Sequence, residues 1–326
     1  MEDKYLWPYP NEFNGYLTED CSVNQLKSEI EKIEIHFERK FSCNTVLMPS
    51  GRSCLSAIFK IKNVKRGELI FAPKWSSHCV WDTISRFGTP TCNFYDSPNI
   101  VINVNKWGYR FDLEKEYPLT IQDSVDSIIL SPSSLFQSDS DFEILSLPKI
   151  YSTFFGGIIL CNKKPDYKKL KKLQFTNMDL AQYQVSQKLK DHCDTSNFIT
   201  TEKYSNWEFN EWQNFSVDLN CTTNIINGLR NEKEIEKKIK KRWDYIEDIK
   251  DLVLLTDLSD RLPIHALIPI NKIKPKNLQL LKRAFNYSFK TESEKFNKFY
   301  LLPTHLGIPF NEFQYIVDNI KNCLKK

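Results

Sequence analysis

Between Thr45 and Cys161 the chain alternates short apolar runs, rich in β-branched and aromatic residues, with polar stretches. The runs are Thr45–Met48, Leu69–Ala72, Thr91–Tyr95, Ile100–Val104, Leu119–Gln122, Ser127–Leu130, Phe142–Leu147 and Gly157–Cys161. Continuous apolar runs this short predict buried strands. Two intervening stretches have the helical period instead. Leu55, Ile58, Phe59 and Ile61 share one side of a helix over Arg52–Ile61, and Val80, Ile84 and Phe87 do so over Ser76–Phe87. Strands alternating with helices predict an α/β fold with a mixed, mostly parallel sheet covered on both faces. After Asp96 the strands follow one another with little room for crossover helices.

Farther on, Ile235, Ile239, Trp243 and Ile246 repeat at three and four residues among Lys and Glu, which predicts a long connecting helix from Glu232 to Leu252. A strand at Leu262–Ile270, a helix at Pro275–Phe285 and a terminal helix at Asn311–Leu324 then suffice for a small C-terminal α/β domain. The expected division is residues 1–240 and 241–326.

Composition narrows the class. With 326 residues and 41% hydrophobic content, the chain can bury one large core, or a large and a small one. It has no apolar stretch long enough to span a membrane, and the opening MEDKYLWPYPNEF lacks the basic and apolar segments of a secretory signal, so a cytoplasmic protein is expected. Nine cysteines contain no C-x-x-C pair, and several lie in apolar runs, which suits reduced, buried thiols; no metal is expected. The net charge of +4 is spread over interleaved basic and acidic residues, a pattern that does not indicate nucleic acid.

Only nine glycines occur, so their positions are informative. Gly51 lies in Pro49-Ser50-Gly51-Arg52-Ser53, between a strand and a helix. This is either an ordinary serine-capped turn or a phosphate cradle made by free N–H groups at a helix N-terminus. Gly156 and Gly157 follow Ser146-Leu147-Pro148-Lys149. Lys149 reads either as a solvated surface lysine or as an amine held at the sheet end, where desolvation would lower its pKa. Asp123 ends an apolar strand, as a helix cap or as a carboxylate awaiting a cation.

Together the three supply, in order, what pyridoxal 5′-phosphate (PLP) requires: a phosphate cradle, an acid for the ring nitrogen, and a Schiff-base lysine. Here the sequence resembles the DegT/StrS-type sugar aminotransferases, which have the PLP-dependent transferase fold type I. Ser50-Gly51-Arg52 is similar to the family's Ser-Gly-Thr/Arg loop, Gln122-Asp123-Ser124-Val125 to its Glu-Asp-Ala-Ala motif, and Lys149 with Gly156-Gly157 to its lysine and glycine pair. Arg242-Trp243-Asp244-Tyr245 and Pro303-Thr304-His305 match its later motifs, so the resemblance spans about residues 45–324.

The resemblance implies that Ser50, Gly51, Arg52 and Ser53 bind cofactor phosphate, that Asp123 and Lys149 are catalytic, and that His78, in preference to Trp75, stacks on the PLP ring. It implies amino transfer from a donor such as glutamate to a keto-sugar nucleotide, in surface polysaccharide or deoxysugar biosynthesis, by a homodimer with shared active sites. A PLP-dependent lyase or dehydratase, and a degenerate non-catalytic member, are the alternatives. Three departures stand out. Ile144 replaces a phosphate-binding serine, leaving Ser146 to serve; Asp126 replaces Gln or His, where it would repel the cofactor's oxygens; and residues 96–123 form a short segment.

Overall fold

A computed structural model of the protein describes residues 22–110, 113, 116–151, 153, 155–176, 215–254, 257–272 and 299–324. The strands are β1 Asn44–Met48, β2 Leu69–Phe71, β3 Thr89–Thr91, β4 Ile100–Val104, β5 Leu119–Asp123, β6 Ser127–Ile129, β7 Phe142–Ser146, β8 Gly157–Cys161, β9 Arg261–Pro263, β10 His265–Pro269 and β11 Phe299–Pro303. Seven form one sheet in the order β1-β8-β7-β5-β4-β2-β3. The pairs β7–β5, β5–β4, β4–β2 and β2–β3 are parallel, whereas β8 is antiparallel to both β1 and β7. The sheet is therefore mixed and mostly parallel, as the pattern predicts.

The helices are α1 Val23–Phe41, α2 Gly51–Ile61, α3 His78–Phe87, α4 Leu147–Tyr151, α5 Lys164–Leu173, α6 Leu219–Arg230, α7 Glu232–Ile246 and α8 Phe310–Leu324. Side-chain alternation along the strands feeds two cores, one on each face of the sheet. On one face Val46, Met48, Ile102, Ile121, Phe142, Ile144 and Ile159 pack with Leu55, Ile58 and Phe59 of α2 and Val80 and Ile84 of α3. On the other, Leu47, Leu145, Ile158 and Leu160 pack with α1, α6, α7 and α8. Ile144 is thus committed to a core, which is why no hydroxyl stands there.

Helix α1 was not anticipated, although Leu26, Ile30, Ile33, Phe37 and Phe41 recur at helical spacing and are buried. Burying each contributes about 1.5–3 kcal/mol, and Ser22 caps the first turn by accepting from Gln25 N at 3.2 Å. The helix ends at Ser42, which takes a left-handed conformation.

The run Thr91–Tyr95 is not a strand. Strand β3 lies at Thr89–Thr91, and a 3₁₀ turn occupies Phe94–Asp96. Side chains divert the backbone: Thr91 Oγ1 donates to Asp96 Oδ2 at 2.5 Å, Asn93 Nδ2 donates to Asp96 Oδ1 at 2.9 Å, and Asn93 N donates to Thr91 Oγ1 at 3.0 Å. The run Leu262–Ile270 breaks at Ile264, whose N–H donates to Asp126 O at 3.1 Å. Strand β9 then pairs with β6, and β10 with β11. The long connecting helix ends at Ile246 and continues as 3₁₀ turns over Glu247–Leu252. The helix expected at Pro275–Phe285 lies outside the described residues. No described helix is long and apolar enough to cross a membrane.

Candidate active site

Strands β1 and β7 run in the same direction because each opposes β8, and register places Met48, Gly157 and Ser146 side by side. Asp123 stands opposite Ile144 on β7. The segments after β1, β5 and β7 therefore emerge at one edge of the sheet, bringing Ser50–Ser53, Asp123 and Lys149 to the same region. The glycine pair makes the approach close. Gly156 has φ +112 and donates to Pro49 O at 2.8 Å. A methyl on Gly157 would overlap the Ser50 carbonyl and lie 2.6 Å from Cys54 Sγ.

Ser50 caps α2: its hydroxyl accepts from Ser53 N at 3.2 Å and lies 3.1 Å from Ser53 Oγ. Ser53 is fully buried, while Ser50, Gly51 and Arg52 are half-buried. Gly51 has no positive φ, and a methyl there would sit 3.6 Å from Val125 Cγ1, so the turn itself does not demand glycine. The contact does show that this turn abuts the Asp123–Val125 segment.

Lys149 lies in the short helix α4, which begins where Leu147 N donates to Gly156 O at 3.0 Å and breaks the predicted strand Phe142–Leu147. Its Nζ donates to Asp126 Oδ1 at 2.9 Å. Asp126 Oδ2 accepts from Trp107 N at 3.0 Å. Burial by itself lowers the lysine's pKa, as expected, but the charge and hydrogen bond of Asp126, followed by Asp123, override it and hold the amine above its ordinary value. The expectation of a depressed amine is thus corrected, because the sequence did not show that Asp126 would face Lys149. For Asp126, burial favours the neutral acid, yet Lys149 and Lys106 prevail and keep it below the usual carboxylate range.

Asp123 differs. Its Oδ1 accepts one hydrogen bond, from Val125 N at 3.2 Å, and its Oδ2 takes none from any described residue. It is 5% exposed. Burial pushes its carboxyl up to about 6, with Lys149 opposing and Asp126 adding to the rise. A buried carboxylate with an open acceptor suits a cationic N–H ligand, which would supply the missing hydrogen bond and charge. These residues fit PLP.

The remaining expected residues are less closely gathered. Ser146 is buried at the end of β7. His78 is the exposed first residue of α3, and Trp75 is half-buried beside the α1 core. Cys79, the next residue of α3, acts on Lys149 through its charge. Arg242 ties the two later motifs together, donating to His305 O at 2.5 Å and Ile308 O at 2.6 Å. Burial brings its pKa down to about 10.

Sequence reading missed Lys106 and Trp107. They come one residue after strand β4 and precede Gly108, a strand-turn-glycine signal like that of Ser50-Gly51. Both are buried, and Lys106 Nζ lies 5.0 Å from the Trp107 ring centroid. Trp107 takes a left-handed φ of 60, which costs about 1–2 kcal/mol for a residue with a Cβ. Cys54, from α2, faces Asp123, whose charge adds to burial in raising the thiol's pKa.

No curated protein matches the sequence. Among solved structures, the "Putative sugar aminotransferase Spr1654 from Streptococcus pneumoniae, PLP-form" shares 13% identity at a TM-score of 0.63, over 97% of this chain and 98% of that one. A DegT DnrJ EryC1 StrS aminotransferase from Brucella abortus shares 12% at 0.57, over 95% and 91%. DesI, solved in the presence of its TDP-sugar product, shares 13% at 0.60, over 91% and 84%. At such identities the likeness is one of fold. A family model described as "Putative PLP-dependent aminotransferase" matches residues 33–323. With nearly the whole chain matched and a lysine, an open buried carboxylate and a helix N-terminus at one sheet edge, the protein belongs to this family of PLP-dependent aminotransferases.

Proposed function

We propose that the protein transfers an amino group from a donor such as glutamate to a keto-sugar carried on a nucleotide, in surface polysaccharide or deoxysugar biosynthesis. The observation that carries the chemistry is that Lys149 lies within electrostatic reach of a buried Asp123 whose Oδ2 accepts no hydrogen bond from a described residue. The sugar substrate is supported by the resemblance of the motifs and by DesI's having been solved with a TDP-sugar. A cytoplasmic homodimer with shared active sites, and domains at 1–240 and 241–326, belong to the same proposal.

When bound, PLP would supply an electron sink that eases removal of a proton from the substrate carbon. Asp123 would hold a proton on the cofactor's ring nitrogen. Ser50, Gly51, Arg52 and Ser53, at the N-terminus of α2, bind the phosphate, with Ser146 on the adjoining strand. Lys149 Nζ takes a proton at the substrate carbon and returns it.

The test is to incubate the PLP-loaded protein with glutamate and a panel of keto-sugar nucleotides and to measure 2-oxoglutarate. Nucleotide sugars should also raise the melting temperature, since a ligand at about 100 times its Kd adds roughly 2.7 kcal/mol. Absence of both turnover and stabilisation with every nucleotide sugar overturns the substrate assignment.

A further inference from the structure

We propose that Asp126 is a positioning residue for Lys149, an internal counter-ion that pins the lysine's ammonium to the Trp107–Gly108 turn, so that the amine must leave this ion pair to bond the cofactor. The inference rests on the PLP reading above but concerns a residue at which this chain departs from the motif it resembles.

Three observations carry it. Asp126 is buried, and its two carboxylate oxygens are divided between Lys149 Nζ at 2.9 Å and Trp107 N at 3.0 Å. The turn that presents Trp107 N is fixed against the same residue: Trp107 is left-handed, Gly108 has φ +91, and a methyl on Gly108 would lie 2.7 Å from Asp126 O. The backbone of Asp126 is committed as well, since its carbonyl accepts from Ile264 N at 3.1 Å. The carboxylate is held through both its backbone and its side chain, whereas the lysine's amine sits on a four-carbon rotatable stem, so the lysine is taken as the partner that moves.

Charge supports the same assignment. Asp123 and Asp126 face Lys149 from the end of β5 and the turn beyond it, Cys79 faces it from α3, and Lys106 faces Asp126 from the turn after β4. When Lys149 leaves, Lys106 remains to balance Asp126. The carboxylate therefore need not protonate when its partner departs.

In cofactor capture the ammonium loses a proton to solvent. The neutral nitrogen then bonds the aldehyde carbon, and the aldehyde oxygen leaves as water. Only the neutral amine can start this step, so Asp126 sets the pH at which capture becomes fast.

Competitive trace labelling of the cofactor-free protein with acetic anhydride, followed by peptide mapping, reads the ionisation of Lys149 directly. In the parent, Lys149 should become reactive at higher pH than exposed lysines. In Asp126→Asn, which keeps an oxygen for Trp107 N but removes the charge, that pH should fall by about one pH unit or more. Asp126→Glu, which keeps the charge, should stay close to the parent. The second-order rate of PLP capture at pH near 7.5, followed by the visible absorbance, should rise about ten-fold in Asp126→Asn.

A parent Lys149 that titrates below exposed lysines overturns the proposal without any variant, so a misfolded Asp126→Asn does not shelter it. Equal profiles for Asp126→Asn and Asp126→Glu in folded protein also overturn it. Failure of the parent to form a borohydride-reducible bond removes the PLP reading instead, and leaves the labelling result to stand or fall alone.

Discussion

Two buried carboxylates in this protein meet opposite fates. Glu232, at the start of α7, accepts from Lys40 Nζ at 2.6 Å and Tyr151 OH at 2.5 Å, and His36 Nε2 lies 2.8 Å away. Burial alone would raise its pKa, but these contacts bring it down to about 2. Asp123, with one hydrogen bond, is pushed up to about 6. Burial acts in the same sense on both; the number of committed partners decides the outcome. Glu232 is a finished structural joint. It anchors Tyr151, two residues beyond Lys149, to α1 and α7 and so fixes the far end of α4. Asp123 is an unfinished one among the described residues, and the proposed cofactor contact would complete it.

The comparison can be broken by substitution. The largest expected effect is at Lys149, on the unfinished side: Lys149→Ala should lower turnover by about 10³-fold or more and abolish the borohydride-reducible bond to PLP. Its circular dichroism should match the parent's. Peptide mapping that finds the pyridoxyl group on another lysine would displace the whole site.

Next come the matched amidations, which should move stability in opposite directions. Glu232's folded pKa is depressed, so its contribution is present above the unfolded carboxylate value and is lost as pH falls from about 4.5 through about 2. Glu232→Gln should cost roughly 2–3 kcal/mol at neutral pH and flatten the acid limb of the stability curve. Denaturant melts at several pH values measure both. Asp123's folded pKa is raised, so in the cofactor-free protein its penalty is absent at low pH and grows as pH climbs from about 4 through about 6. Asp123→Asn should therefore stabilise the cofactor-free protein at pH 7 by roughly 2 kcal/mol. The same change should lower the activity of the loaded enzyme by about 100-fold. Destabilisation by Asp123→Asn would mean that this carboxylate, like Glu232, is already satisfied.

The smallest effect should come from Gly157→Ala, which tests the seat of the phosphate loop. Overpacking against the Ser50 carbonyl should cost about 1–3 kcal/mol. It should also weaken PLP affinity in titrations of cofactor-free protein. An unchanged affinity would separate the loop's packing from its binding.

Periodicity alone located β4 and β8 at their observed limits, and β1, β2, α2 and α3 to within two residues, because these elements draw their apolar positions from the cores on the two sheet faces. It was misled at Thr91–Tyr95, where Thr91, Asn93 and Asp96 bind one another and turn the chain. It also could not divide Leu262–Ile270, since a backbone N–H drawn to Asp126 O leaves no mark in hydrophobicity.

The same boundary runs through the site. Order and residue type along the chain singled out Ser50–Ser53, Asp123 and Lys149 as a candidate set, because glycine placement, strand ends and the resemblance are all read locally. Only tertiary structure decided the charge state of that set. Asp126, read as a residue that would repel cofactor oxygens, is the partner of Lys149, and Lys106 and Trp107 complete the group from the turn after β4. Coulombic and hydrogen-bond energies fall off over a few ångströms, so the pKa of each group depends on neighbours brought close by strand register rather than on neighbours in sequence.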